Sequence, residues 1–237
     1  MAAAKSILIT DHAGFANPAI SERLVGAGHR MAATDRSISK DGEADGVALV
    51  AWSDPASVVA AAAERLGGRL DAIVISPSKP APRTPIEELT VEALTPYFVE
   101  IAAESIAFAG AAAKVMRPQK SGRIVFMSSS GPIGGIPGFA AYASARAAVN
   151  GAVRTLALEL AKDGISVNAV AANFIQTETY YPKALLEDPV KGPKLLAKVP
   201  MGRLGDAEEV AALVELLATG NSGFVSGQVI PISGAWC

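Results

Sequence analysis

SILITDHAGFANPAISERLVGAGHRMAAT, residues 6–34, reads as a strand, a turn, a helix and a second strand. Ser6 to Thr10 is an apolar run too short for a helix, Pro18 to Ala27 has helical period and is closed by Gly28, and Arg30 to Thr34 is again strand-like. The alternation continues outward from this unit. Pro55 to Leu66 is a helix ended by Gly67-Gly68, Ala72 to Ile75 a strand, Ser76 to Pro85 a proline-rich loop, and about Thr90 to Met116 a long helical region. Gly122 to Ser128 is the next strand, Gly131 to Gly138 a glycine-rich loop, about Tyr142 to Lys162 a long helix and Ile165 to Val170 a strand. Asp206 to Ala218 is a helix and Gln228 to Ile232 the last strand. Strands apolar on both faces belong in a parallel sheet covered by helices on both sides. The expected fold is therefore α/β: a Rossmann-like, doubly wound parallel sheet of about seven strands in three α/β/α layers, with residues 1–237 forming one domain. No internal repeat and no linker divides it.

The composition agrees with a folded chain. Half of the 237 residues are apolar, with 22 Gly and 15 Pro, too hydrophobic for disorder. Lys and Arg number 21 against 23 Asp and Glu, a formal net charge of −2, so there is no basic excess to meet a nucleic acid. The longest apolar run, Ile106 to Ala113, is far short of the ~20 residues that cross a bilayer, so no membrane partner is expected. The N-terminus lacks the long apolar segment of a secretory signal, and the expected location is cytoplasmic. Cys237 is the only cysteine, which allows no internal disulfide and no metal cluster and fits a reducing compartment.

In a dinucleotide-binding fold the turn after the first strand carries glycines, because the backbone must turn tightly and let a pyrophosphate approach the helix N-terminus. Here that turn is Thr10-Asp-His-Ala-Gly-Phe-Ala-Asn17. Asp11 would set a carboxylate beside a diphosphate, and Phe15 would fill the space the phosphates need. Asp35, ending the second strand, stands where a cofactor ribose would be held.

A second constellation begins at the strand ending in Ser128-Ser129-Ser130. Tyr142 follows Ser129 by thirteen positions, and Arg146 follows Tyr142 at i+4. Residues four apart on a helix share a face. A fixed cation ~5 Å from a phenol favours the phenolate by on the order of 3 kcal/mol at an effective dielectric of about 20, and the phenolate is the form that takes a proton. Arginine stays protonated, so Arg146 tunes and does not shuttle. Ile136 and Phe139, in the loop before Tyr142, are expected to line a substrate pocket. Ser128 and Ser130, on alternate faces of the strand end, are read as satisfying turn hydrogen bonds.

Over essentially the whole chain, Ser129, Tyr142 and a basic residue at 146 resemble the short-chain dehydrogenase/reductase family. That family's tetrad normally carries Tyr-x-x-x-Lys, and its first turn has glycines one, five and seven residues after a Thr placed like Thr10. This chain has Arg146 for the Lys and Asp11, Phe15 and Asn17 for the glycines. The two departures together are similar to the halohydrin dehalogenases, the cofactor-free branch, whose pattern is Thr, four residues, an aromatic, one residue, Gly. Thr10 and Phe15 match it, and Asn17 departs from it.

The resemblance implies an enzyme with no cofactor and no metal, whose partners are a small haloalcohol or epoxide and a halide or other small anion. Ser129 would hold the substrate hydroxyl, and Tyr142, sustained by Arg146, would take its proton while the oxygen displaces halide from the neighbouring carbon. An anion nest would replace the nicotinamide site, built from Phe15 and the segment Ala172, Asn173, Phe174 and Ile175, with Tyr181 closing it. It also implies a homotetramer built on the Ala/Gly-rich helices Ala102 to Ala113 and Ala143 to Ala152. Two other readings stand beside this one: an NAD(P)-dependent oxidoreductase with an atypical cofactor loop, and a non-catalytic, cofactor-free relative.

Overall fold

A computed structural model describes residues 3–77, 79–178 and 180–237; Met1, Ala2, Ser78 of the proline-rich loop and Thr179 lie outside the described residues. β1 (Ser6–Thr10), α1 (Asn17–Gly26) and β2 (Arg30–Thr34) form the expected βαβ unit, with Ile7 opposite Met31 and Leu8 opposite Ala32 in a parallel pair. Pro18 sits in the first turn of α1, where its missing N–H is no loss and its fixed φ suits a helix. A hairpin then departs from expectation. β3 (Gly42–Ala44) runs antiparallel to β4 (Val47–Val50) across Asp45 and Gly46, whose φ of 50° and 75° are both left-handed, as a type I′ turn requires.

The remaining strands are β5 (Ala72–Ile75), β6 (Gly122–Ser129), β7 (Ile165–Ala172) and β8 (Val229–Ile232). The sheet thus has eight strands and not about seven, in the order β3-β4-β2-β1-β5-β6-β7-β8, and only β3 is antiparallel to its neighbour. The strand order reverses between β1 and β5, so a crevice opens at their carboxyl ends, the usual ligand position in such sheets. The Ser76 N–H donates to Thr10 Oγ1 across it at 2.8 Å.

Alternation along the strands divides the core into two layers. Ile7, Ile9, Val74, Val125 and Val170 face α1 and α9 (Ala207–Thr219), against Ile20, Leu24, Val210 and Val214. Leu8, Ile73, Ile124 and Phe126 face the opposite helices α2 (Pro55–Arg65), α4 (Glu104–Gln119) and α6 (Ala140–Leu160), against Val58, Phe108, Met116 and Val149. The helical region expected from Thr90 to Met116 is interrupted: α3 (Val91–Tyr97), which contains Pro96, passes into a π-helical turn, Phe98–Ala103, before α4. Proline removes one backbone donor and crowds the preceding turn, which disturbs regular helix pitch. α5 (Gly131–Gly134) is a single turn within the glycine-rich loop. Two short helices beyond β7, α7 (Lys183–Glu187) and α8 (Lys191–Leu196), form a satellite cluster in which Leu186 and Leu195 pack with Phe174, Tyr181, Val199 and Trp236. Among the described residues, no helix is long and apolar enough to cross a membrane.

The start of α9 gives a measurable electrostatic contribution. Asp206 accepts the Glu209 N–H at 2.8 Å and Glu209 accepts the Asp206 N–H at 3.1 Å, while Arg203 grips the Glu209 carboxylate at 2.7 and 2.8 Å. Arg203, and then the Asp206 N–H, hold the Glu209 carboxyl down to about 2. A depressed carboxyl stabilises above its unfolded value and loses that contribution as pH falls through its native value. Glu209→Gln is therefore expected to lower stability at pH 7 by about 0.5 kcal/mol, discounted for solvent exposure of the pair. In thermal melts the difference should shrink as pH falls from about 4.5 towards about 2.

Candidate active site

The carboxyl ends of β1, β5, β6 and β7 surround a cavity of about 180 Å³. Its walls include Ser129, Tyr142 and Arg146; Phe15, Ala172, Asn173, Phe174, Ile175 and Tyr181; Ile136 and Phe139, while Asp11, Asn17, Asp35 and Ser130 do not line it. An apolar cavity of about 150 Å³ accommodates benzene, so this one has room for a small organic molecule.

α6 sets Tyr142 and Arg146 one turn apart on the face that meets β6. Arg146 lies with Cζ 5.0 Å from the centroid of the Tyr142 ring. Only 7% of Arg146 is exposed; Nη1 donates to the Met127 carbonyl and Nη2 to the Pro77 carbonyl, both at 2.8 Å, and Nε has no hydrogen-bond partner. Among the described residues no carboxylate pairs with it. The loop that supplies Pro77 is tied down nearby, where Lys79 pairs with Glu100 of the π-helical turn at 2.6 Å. One turn further along α6, Asn150 accepts the Ser128 hydroxyl at 2.6 Å, so Ser128 braces the strand end against the helix and is not merely a turn residue. Ser129 Oγ accepts the Gly131 N–H at 3.0 Å, which leaves its O–H to donate into the cavity. Ser130 Oγ is buried without a partner.

The first turn keeps the backbone of a glycine loop while carrying side chains. Asp11 and Phe15 have φ of 54° and 44°, and Phe174, on the opposite wall, has 55°. The left-handed region costs a non-glycine residue roughly 1–2 kcal/mol. Phe174 is held by packing, its ring 5.8 Å from Tyr181 in a stack and 5.5 Å from Trp236 edge-on. Burial first, and then the proximity of Tyr142, push the Tyr180 and Tyr181 phenols above the ordinary value of 10, so both remain hydroxyl donors beside the cavity.

The segment after β7 differs from the expected row of free backbone donors. The Asn173 N–H already donates to the Ile232 carbonyl at 3.1 Å, and the Phe174 N–H to the Asn173 side-chain oxygen at 2.9 Å. Among the described residues the donors of this segment left unused are the Ile175 N–H and Asn173 Nδ2.

The carboxyl end of β2 is engaged by the chain's own contacts. Both carboxylate oxygens of Asp35 are engaged, one by the Ser37 N–H and hydroxyl at 2.8 and 2.7 Å, the other by the Ala13 N–H at 3.3 Å. Burial raises its carboxyl, and these bonds, with His12 nearby, more than reverse that and hold it below the usual range. Beyond it, Arg36 lies 4.5 Å from the Trp52 ring and grips Glu104 at 2.7 Å, and the cleft they share with Thr10, Asp11 and Ser76 is about 40 Å³. Pockets for cofactor-sized ligands run to about 300–1,000 Å³. A nucleotide bound here would compete with these contacts.

Sequence reasoning missed Ser76, Pro77, Ala81, Met127 and Tyr180, which also line the cavity. The one available signal was the Tyr180-Tyr181 doublet, of which only the second member was singled out; the others act through backbone or shape.

A Rossmann-like sheet with a serine ending one strand and a Tyr–base pair on the following helix defines a short-chain dehydrogenase/reductase. The family model described as enoyl-(acyl carrier protein) reductase matches residues 18–235, and the chain belongs to this family. The matched span begins one residue past Asn17. The 3-oxoacyl-(acyl-carrier-protein) reductase MabA of Mycobacterium tuberculosis is 30% identical over 231 residues, covering 97% of this chain and 92% of that one. Other reductases match over shorter stretches, among them an NADPH-dependent aldehyde reductase-like protein of Arabidopsis thaliana, 38% identical over 53% of this chain and 45% of its own; the chain spans about half the length of these curated relatives. Among solved structures, one described as a dehalogenation enzyme is 35% identical with a TM-score of 0.92, covering 99% of this chain and 98% of that one. A halohydrin dehalogenase bound to ethyl (2S)-oxiran-2-ylacetate is 26% identical with a TM-score of 0.88, covering 96% and 95%.

Whether the cleft takes a nucleotide is directly testable. A ligand at about 100 times its Kd stabilises a protein by about 2.7 kcal/mol, which moves Tm by several degrees. Millimolar NADH or NADPH is expected to leave the Tm of this protein unchanged.

Proposed function

We propose that this chain is a halohydrin dehalogenase that works without a nicotinamide cofactor. One observation carries the reading: Arg146 is buried against Tyr142 with no carboxylate partner among the described residues, in a cavity walled by Phe15 where a dinucleotide needs glycine. The likeness to the dehalogenation enzyme and to the halohydrin dehalogenase supports it.

In this reading the Ser129 hydroxyl donates to the substrate oxygen and fixes it. Tyr142, beside Arg146, acts as the base that takes the hydroxyl proton; the freed oxygen pair attacks the neighbouring carbon, and the carbon–halogen bond breaks with its electrons on the halide. The products are an epoxide, a halide ion and a proton held on Tyr142 until it passes to water. No hydride moves. The departing anion is received by the Phe15, Ala172–Ile175 and Tyr181 wall, where the Ile175 N–H and Asn173 Nδ2 are the donors at hand. Ile136 and Phe139 bound the carbon skeleton of the substrate. In reverse, the site opens epoxides with halide, cyanide or azide. We also assign a homotetramer built on the Ala/Gly-rich helices Ala102 to Ala113 and Ala143 to Ala152; light scattering should then give about four times the 24.2 kDa chain mass.

The competing reading, an NAD(P)-dependent reductase, is favoured by the reductases among the relatives. Incubating the protein with a small vicinal haloalcohol in cofactor-free buffer separates the two. Halide and acid release is expected from the wild type and should fall by about 10²–10⁴-fold in Tyr142→Phe. No release, together with NADPH-dependent reduction of a carbonyl substrate, would favour the reductase.

A further inference from the structure

Asn17 is the residue in the first turn that the resemblance leaves unexplained, and the structure gives it a specific task. It is the first residue of α1 and fully buried. Its Nδ2 donates to the Asp11 carbonyl at 2.6 Å and to the Thr10 carbonyl at 3.3 Å. The Asp11 carbonyl also accepts the Gly14 N–H at 2.9 Å, and the Gly14 carbonyl accepts the Asn17 N–H at 2.9 Å. The loop is thus closed by two successive turns and cross-tied by one side chain. Phe15 lies between the tied points, left-handed at φ 44°, with its ring on the cavity wall and packed against the core of β1 and α1. Asn17 Oδ1 has no hydrogen-bond partner, so the residue acts through its donor side alone. A glycine here would remove the side-chain tie to both carbonyls and loosen the backbone beside Phe15.

We propose that Asn17 is a positioning residue that sets the Phe15 wall and thereby the affinity of the cavity for compact monovalent anions such as bromide and azide. This rests on the dehalogenase reading of the same cavity. Asn17 does not touch the reacting atoms, so its effect falls on anion binding and not on proton transfer by Tyr142.

The test uses the purified full chain and Asn17→Ala, which deletes the donor, with Asn17→Ser as a second variant whose hydroxyl retains one donor. Two readouts separate positioning from general stability: the rise in Tm on titration with bromide, measured against each variant's own anion-free Tm, and the KM for azide against kcat in opening a small epoxide. The wild type should be stabilised by bromide. Asn17→Ala should bind bromide and azide about tenfold more weakly, with kcat at saturating azide within about twofold of wild type, and Asn17→Ser should fall between them. Should Asn17→Ala not fold, Asn17→Ser alone carries the comparison, with weakened anion binding as the expected result. Unchanged anion affinity in the folded variants, or a fall in kcat with KM unchanged, would overturn the proposal while leaving the dehalogenase reading intact. A wild type that releases halide from a haloalcohol yet shows no bromide response would also overturn it. A wild type that does neither would remove the dehalogenase reading, and this proposal with it.

Discussion

Burying the Arg146 guanidinium between β6 and α6 takes a positive charge out of water, and the Met127 and Pro77 carbonyls that receive it answer with dipoles and not with charge. The effective penalty for an ion left this way is several kcal/mol, so the region around Arg146 favours negative charge. The Tyr142 ring lies across its face, its centroid 5.0 Å from Cζ. The rest of the site follows from that constraint: the strand end is braced by Ser128 on Asn150, the Ser129 hydroxyl is left to donate, and the loop holding Pro77 is tied to the π-helical turn through Lys79 and Glu100. A cavity arranged this way suits chemistry in which a proton leaves an oxygen and an anion forms nearby.

The family scaffold usually meets its ligand with bare backbone, and this chain meets it with side chains on the same backbone. Asp11 and Phe15 occupy glycine conformations without being glycine, at a conformational cost that packing and the Asn17 cross-tie offset. Asp35, which could have met a ribose, is spent on the Ala13 and Ser37 donors, and Arg36 with Trp52 and Glu104 closes the cleft behind it. Asp11, Phe15 and Asn17 lie in the first turn, ahead of the family match at residues 18–235, whereas Asp35, Arg36, Trp52 and Glu104 lie within it.

Much of this was legible in the sequence because it rests on periodicity and spacing. The unit at 6–34 carries its own strand, turn and helix signals, and Tyr142 with Arg146 at i+4 must share a helix face. The hairpin at Asp45-Gly46 was legible in part and missed: the Asp-Gly turn ahead of the apolar run Val47 to Val50 is a hairpin signal, while Gly42-Glu-Ala44 before it carries no strand pattern. Other features were not written in residue types. The Pro77 and Met127 carbonyls that hold Arg146 belong to the backbone, and any residue would offer the same oxygen there. The donors of Asn173 and Phe174 are used up by Ile232 and by the Asn173 side chain, which depends on tertiary register. The π-helical turn that presents Glu100 reflects helix pitch near Pro96, and no motif in the composition announces it.

The central claim is that a small-anion site stands where this fold ordinarily holds a nicotinamide nucleotide. Crystals grown with bromide and NADPH together test it most directly, because bromide can be located by its anomalous scattering. The account predicts a bromide ion in the cavity, bounded by Phe15 and Asn173 to Ile175, with no nucleotide density along the carboxyl ends of β1 and β2. Ordered NADPH running from Asp35 across the first turn to Tyr142, with no bromide in the cavity, would contradict it.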